Sequence, residues 1–269
     1  MNNALSPRRL TYYAAAVPRM LRGFRRPLGA IGALAGATAP RPITLRDNGL
    51  RLQVRDRMDV WAVQETTLHR HYEIYGFLVG QGWSVLDIGG GLGDYALLVA
   101  HEHPDAHVVA YEPFPGSREL YERNRAANGI QGAEVRPEAI GEPGFVRYAD
   151  LGRGPGEHAV APAGPATPDA IESIALETAL DRAGMPRCDL AKIDCEGAEF
   201  PILLGASDET LARIDRIVLE YHDGPGRDHG ELELRLRAAG YEVQEFPSIH
   251  EGLGYMRAWR SAAGLRPSV

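Results

Sequence analysis

The chain has 269 residues, 44% of them hydrophobic and 24% charged, two cysteines and a net charge of −7. This balance supports one large folded domain with a sizeable core, and it excludes a disulfide scaffold and a disordered chain. No apolar run approaches the ~20 residues that span a bilayer. Charge is uneven: residues 1–46 hold eight arginines and no acid, while the rest carries 21 basic against 36 acidic residues. The acidic body, with no basic face laced with aromatics, argues against a nucleic-acid partner.

In chain order, residues 1–42 read as a basic, helical N-terminal extension. Leu10, Tyr13, Ala14, Val17, Leu21 and Phe24 recur at helical spacing, interrupted by Pro18. This helix is expected to pack on the body or on a second copy of the chain, as in a homodimer. Its arginines also allow peripheral contact with an anionic surface. Residues 25–40 only faintly imitate a signal peptide, and with Cys188 and Cys195 read as reduced thiols a cytoplasmic protein is expected.

Residues 43–269 form the expected main domain. Residues 43–56 read as a hairpin turning at Asp47-Asn48-Gly49. "VWAVQETTLHRHYEIYGFLV" (60–79) reads as one helix, and "SVLD" (84–87) as a buried strand running into a glycine loop and a helix. A second strand covers 106–113, a helix 116–128 and a third strand 133–141. The Gly/Pro-rich segment 152–168 reads as a flexible lid or excursion. A helix is expected over 169–184, a fourth strand at "LAKID" (190–194), and a fifth at "RIDRIVLEYHD" (213–223). A helix over 231–240 and two strands, 241–246 and 254–260, close the chain. Alternating strands and helices predict an α/β fold with a mostly parallel sheet.

Two features point to a nucleoside-bearing ligand. The loop spacing is D-x-G-x-G-x-G: Asp87, Gly89, Gly91, Gly93. Where a dinucleotide fingerprint has its third glycine, this chain has Asp94, whose carboxylate would repel a pyrophosphate. A ligand without phosphate and with a cationic part, such as S-adenosylmethionine, suits it better than NAD. Glu112 closes the second strand about twenty residues on, where an acid accepts hydrogen bonds from both ribose hydroxyls.

In an open α/β sheet, ligands sit at the carboxyl ends of the strands. The fourth and fifth strands end in Asp194 with Glu196 and in Glu220 with His222. Residues i and i+2 of a strand share a face, which groups Lys192 with Asp194 and Glu220 with His222. Lys192 is the only lysine in the chain; its ammonium would hold Asp194 or Glu196 ionised, or act as a base if desolvated. Asp194 or His222 would serve as general base. Alternatively Asp194, Glu220 and His222, with Glu196 a further donor, would ligate Mg²⁺ or another divalent metal that acidifies a hydroxyl. His69 with His71, and His101 with His103, stand two apart on predicted helices, hence on different faces, and read as structural or exposed. Tyr75 and Tyr95 are further candidates for the cofactor border.

The runs "VLDIGGGLGDYALLVA", "AYEPFPGSRELYERNRAANG", "EAIGEPG" and "LAKIDCEGAEFPILLGA" resemble the FkbM-type S-adenosylmethionine-dependent methyltransferases. K-x-D-x-E-G-x-E is the specific part, followed by the strand "LEYH". The resemblance covers residues from about 43 to 260 and leaves the basic arm outside. It implies a Rossmann-like class I methyltransferase fold, with helices on both faces of a seven-stranded, mostly parallel sheet whose last strand is antiparallel. It implies S-adenosyl-L-methionine bound by Asp87, Gly89, Gly91, Gly93, Glu112, Pro113, Glu138, Ala139 and Asp194. It implies O-methylation of a small-molecule hydroxyl on a sugar, glycoconjugate or secondary metabolite. The departures are Gly91-Leu92 within the loop and "ALETAL" where T-L-D is common. Two rivals stay open: an NAD-dependent oxidoreductase or epimerase, which lacks its Tyr-x-x-x-Lys pair here, and an inactive binding scaffold.

Overall fold

In the computed structural model, residues 16–34, 42–150, 158–165 and 167–261 are described. A seven-stranded sheet organises the chain. Its strands are β1 (Ser84–Ile88), β2 (His107–Tyr111), β3 (Glu134–Arg136), β4 (Leu190–Ile193), β5 (Arg216–His222), β6 (Glu242–Pro247) and β7 (Leu253–Trp259). The spatial order is β6-β7-β5-β4-β1-β2-β3. Neighbours run parallel, except that β7 is antiparallel to both β5 and β6. The order reverses at β1, which opens a crevice above the carboxyl ends of β1 and β4, where such sheets take their ligands. The class I Rossmann-like fold implied by the motifs is the one observed.

The central strands are nearly continuous apolar runs because helices cover both faces. Leu190–Ile193 is buried throughout, and so is β5 except at Glu220. Alternation sorts their side chains between two cores. Leu86, Ile88, Ala191, Ile193, Ile217 and Leu219 join one, and Val85, Leu190, Val218 and Tyr255 the other. Asp87, Lys192, Asp194 and Glu220 continue the second face toward the strand ends, so one face changes from apolar to charged as it enters the crevice.

The N-terminal segments cover that face. Residues 16–23 and Pro27–Leu34 are helical, and Ala16, Met20 and Phe24 are fully buried against the hairpin strands Ile43–Thr44 and Arg51–Leu52. The stripe differs from the expected one. Val17 and Leu21 are exposed, Leu10, Tyr13 and Ala14 lie outside the described residues, and Pro18 sits within the helix without ending it. The faces 16/20/24 and 17/21/24 are adjacent on a helix, and only the partner surface selects between them.

Four expectations are corrected. The helix over 60–79 is broken into Arg57–Val63, a π-helical turn Gln64–Leu68 and a single helical turn His71–Ile74. Thr67 Oγ1 donates to the Val63 carbonyl at 2.6 Å, and Arg70 adopts a left-handed φ of 54°, which ends the helix. The third strand splits: Glu134–Arg136 stays in the main sheet, and Ala139–Ile140 moves to a four-stranded sheet. Residues Ile171–Ile174 form a strand there, pairing with Ala139–Ile140, so the expected helix starts only at Leu176. The Gly/Pro-rich segment is structured in part: His158–Ala163 pairs antiparallel with Gly144–Asp150, while 151–157 and 166 lie outside the described residues. Among the described residues, no helix is long and apolar enough to cross a membrane.

Candidate active site

One cavity of about 250 Å³ sits over the carboxyl ends of β1, β2, β4 and β5. Its floor is the glycine loop. Gly89 has φ +85°, and a Cβ there would lie 1.8 Å from the Asp194 carbonyl oxygen. Only glycine lets β1 and β4 turn together at this point. Gly93, also left-handed, starts the helix Asp94–Glu102, and a Cβ on it would strike Leu97 and Tyr121. Gly93 thus serves helix packing, and it does not line the cavity.

Glu112 faces the loop from β2. Its two carboxylate oxygens accept the Gly91 and Phe114 backbone amides, each at 2.8 Å. Burial raises its pKa to about 7 against the opposing pull of those amides. The amides fix its orientation, and each oxygen retains a lone pair for a hydroxyl donor. Pro113, Ala139 and Glu138 lie in the same wall. Arg182 donates to one Glu138 oxygen at 2.5 Å, and the other oxygen has no hydrogen-bond partner. Asp94 caps the cavity beside the loop, where Thr66 Oγ1 donates to it at 2.5 Å.

Asp87 lies beneath this floor, and Lys192, which lines the cavity, reaches back to it. Lys192 Nζ sits 2.9 Å from Asp87 Oδ1 and donates to the Gly89 carbonyl at 2.8 Å. Burial would lower the lysine pKa, yet Asp87, Asp194 and Asp94 outweigh it and hold it above the ordinary value. Asp87, fully buried, is pushed up to about 6, with Lys192 opposing its desolvation. The direct partner of Lys192 is therefore Asp87, not the expected Asp194 or Glu196. Its raised pKa and its engaged ammonium oppose a role as base.

Across the cavity, Tyr72 Oη donates to Asp194 Oδ2 at 2.5 Å, and Glu220 lies at the end of β5. Burial, then the charge of Asp194, raises the Glu220 pKa well above the carboxylate range. His222 lies outside the cavity wall. Its Nδ1 stands 3.2 Å from Glu199 Oε1 and its Nε2 3.7 Å from Glu196 Oε2. Burial would lower the His222 pKa, but Glu199, Asp194 and Glu196 raise it to about 10. A histidine protonated at neutral pH is not a general base. It clamps the turn after β4, where Glu199 Oε1 also accepts the Cys195 amide at 2.8 Å and Glu196 holds a left-handed φ of 55°.

The ligand atoms that come together are those of Asp194, Glu199 and His222, all within 4.8 Å of one another, rather than the expected Asp194, Glu220 and His222. The imidazole in that group is already committed to Glu199. Sequence reasoning missed Glu199, although it is the last acid of K-x-D-x-E-G-x-E. It also missed Tyr72 and Tyr255, whose surroundings carry no motif. His69 and His71 do meet: His69 Nδ1 lies 3.1 Å from His71 Nε2. The left-handed Arg70 between them removes the helical spacing that would separate them. His101 bonds the Asn48 carbonyl at 3.0 Å, a structural contact. Tyr95 is buried beneath the cavity and Tyr75 stacks on Tyr255; neither lines the wall.

With this geometry in place, the chain matches the methyltransferase FkbM domain over residues 87–243, more than half its length. The protein belongs to the FkbM methyltransferase family. It is 24% identical over 180 residues to Methyltransferase 1 of Beauveria bassiana, covering 59% of this chain and 72% of that protein. It is 29% identical over 225 residues to the AMB antimetabolite synthetase AmbE of Pseudomonas aeruginosa, covering 68% of this chain; the match spans 10% of AmbE. Among solved structures, a human methyltransferase 10 domain containing protein is similar at 15% identity and TM-score 0.47, covering 80% of this chain and 89% of that one.

Proposed function

We propose that this FkbM-family methyltransferase moves a methyl group from S-adenosylmethionine to a hydroxyl oxygen of a small molecule, a sugar or secondary metabolite. One observation carries the reading: a single cavity joins Glu112, an acid fixed by two backbone amides and suited to a ribose, to Asp194 and Glu220, each held by a tyrosine hydroxyl, on its other side. The relative named as an antimetabolite synthetase favours a metabolite as acceptor.

The residues present fit the cofactor. Glu112 is held by two amides with lone pairs left for the ribose, and Asp94 stands at the helix start where a phosphate would be repelled. Glu138 Oε2 is an unpartnered acceptor in the wall. When bound, the cofactor supplies a methyl group activated by a sulfonium, so the protein's task is positioning and proton removal. Lys192 keeps Asp87 ionised under the loop and ties the loop's Gly89 carbonyl to β4. Tyr72 aims Asp194. A carboxylate at the end of β4 or β5 takes the hydroxyl proton.

Titration calorimetry with S-adenosylmethionine, S-adenosylhomocysteine and NAD tests the cofactor. Binding of NAD alone overturns the reading. Transfer of tritiated methyl to a panel of p-nitrophenyl glycosides and phenols tests the acceptor atom. Label recovered on amines but never on hydroxyls overturns O-methylation while leaving methyl transfer intact.

A further inference from the structure

We infer that Glu220 takes the acceptor's proton and that Tyr255, His71 and His69 carry it from the cavity to the surface. This rests on the methyl-transfer reading above.

A continuous set of contacts leads outward from Glu220. Glu220 and Tyr255 face each other across β5 and β7, and the Tyr255 hydroxyl hydrogen-bonds the carboxylate. Tyr255 Oη lies 2.9 Å from His71 Nδ1. His71 Nε2 lies 3.1 Å from His69 Nδ1, and His69 Nε2 meets the guanidinium of Arg19 on the exposed face of the N-terminal helix. Packing holds the links in place. The Tyr75 ring stacks on Tyr255 at 4.7 Å, and His71 sits edge-on to both tyrosines. Buried histidines and tyrosines need partners, but a row of three that links a cavity carboxylate to an exposed arginine is more than satisfaction requires.

The proton balance closes. As the acceptor oxygen forms its bond to the methyl carbon, the O–H electrons remain on oxygen and the proton passes to Glu220 in its ionised form, which His222 and the Tyr255 hydroxyl favour against burial and Asp194; the pair of the broken C–S bond stays on sulfur. With Glu220 ionised, one arrangement of hydrogens satisfies every contact: His69 Nδ1–H to His71, His71 Nδ1–H to Tyr255, Tyr255 O–H to Glu220. With Glu220 protonated, the reverse arrangement satisfies the contacts from Glu220 to His69, with each imidazole carrying its hydrogen on Nε2; the His69 Nε2–H then turns to solvent in place of Arg19, whose guanidinium only donates. Passage from the second to the first moves one proton outward. Both imidazoles rest neutral, as a carrier must. Burial, then His69 and Arg19, lowers His71 to about 3, and burial, then Arg19, lowers His69. Glu220 itself faces Asp194, His222 and Glu65 besides Tyr255.

The first test needs no acceptor. In ¹⁵N NMR of the full chain, raising pH through the Glu220 titration should move the proton of His71 and of His69 from Nε2 to Nδ1 together. Glu220→Gln and Tyr255→Phe should each abolish the joint change while keeping a folded spectrum. The second test uses the best p-nitrophenyl acceptor. Glu220→Gln should lower kcat about 10²- to 10⁴-fold, the range of a general base. Tyr255→Phe and His71→Ala should lower kcat with KM for S-adenosylmethionine unchanged, and added imidazole should restore His71→Ala. No joint tautomer change in the wild type, or full kcat in Tyr255→Phe, overturns the relay. A joint change in a protein that binds S-adenosylmethionine but methylates no hydroxyl overturns the methyl-transfer reading to oxygen, and Glu220's role with it, while leaving the contacts standing.

Discussion

Lys192 Nζ and Asp87 Oδ1 are 2.9 Å apart, at directly paired positions of the two central strands. Both side chains are almost wholly buried. The pair lies under the glycine loop, and the ammonium's second bond, to the Gly89 carbonyl, couples the loop to β4. A compact point charge suits this slot better than a planar fork.

Removing one member should therefore cost more than removing both. Lys192→Ala leaves Asp87 buried and unpaired, and should cost about 3–5 kcal/mol in urea denaturation. The double change Lys192→Met with Asp87→Leu should recover most of that loss. Equal stability of Lys192→Ala and the wild type would mean that the pair is idle.

Glu112→Ala should keep the fold and lose cofactor. The carboxylate makes two charge-assisted bonds to amides and offers its remaining lone pairs to a ligand. Affinity for S-adenosylhomocysteine should fall at least about tenfold, the equivalent of one lost hydrogen bond to a charged group. Unchanged calorimetric affinity would place the ribose elsewhere.

Gly89→Ala should be severe for two separate reasons. The backbone is left-handed at φ +85°, and the added carbon would fall 1.8 Å from the Asp194 carbonyl. Either β1 or β4 must move, so both thermal stability and cofactor binding should drop. Gly116→Ala is the control: nothing lies within 4 Å of its added carbon. A Gly89→Ala protein as stable as Gly116→Ala would refute the close approach.

His222 gives a pH signature. Its pKa is raised to about 10 by Glu199, Asp194 and Glu196 against desolvation. A raised folded value means that the folded chain holds the proton more tightly than the unfolded chain. That stability is fully present below the unfolded value near 6.5 and is lost as pH rises toward 10. Between pH 7 and 10, denaturation midpoints of the wild type should fall more steeply than those of His222→Gln. The difference is at most about 1.4 kcal/mol per pH unit, the limit for one proton. Parallel curves would show that His222 stays neutral.

The sequence by itself determined the parallel sheet, its seven strands and its ligand edge. Buried apolar runs of β-branched and small residues at regular spacing admit little else, and D-x-G-x-G-x-G, Glu112 and K-x-D-x-E-G-x-E are local signals with fixed places on that sheet. Period two also grouped Lys192 with Asp194 and Glu220 with His222; the strand register then set Lys192, Asp194 and Glu220 on one face. Only the tertiary structure decided which groups meet. Lys192 turned to Asp87 because the partner lies on the neighbouring strand, 105 positions away in the chain, where no spacing rule reaches. His222 turned to Glu199 and was lost as a base, because the turn after β4 buries a carboxylate against it. His69 joined His71 because a left-handed Arg70 broke the helix, and both joined Tyr255 because the covering segments fold over the charged end of the sheet. Backbone pattern is written in nearest neighbours along the chain; side-chain partnership, and the proton affinities that follow from it, is written in the packing of segments far apart in sequence.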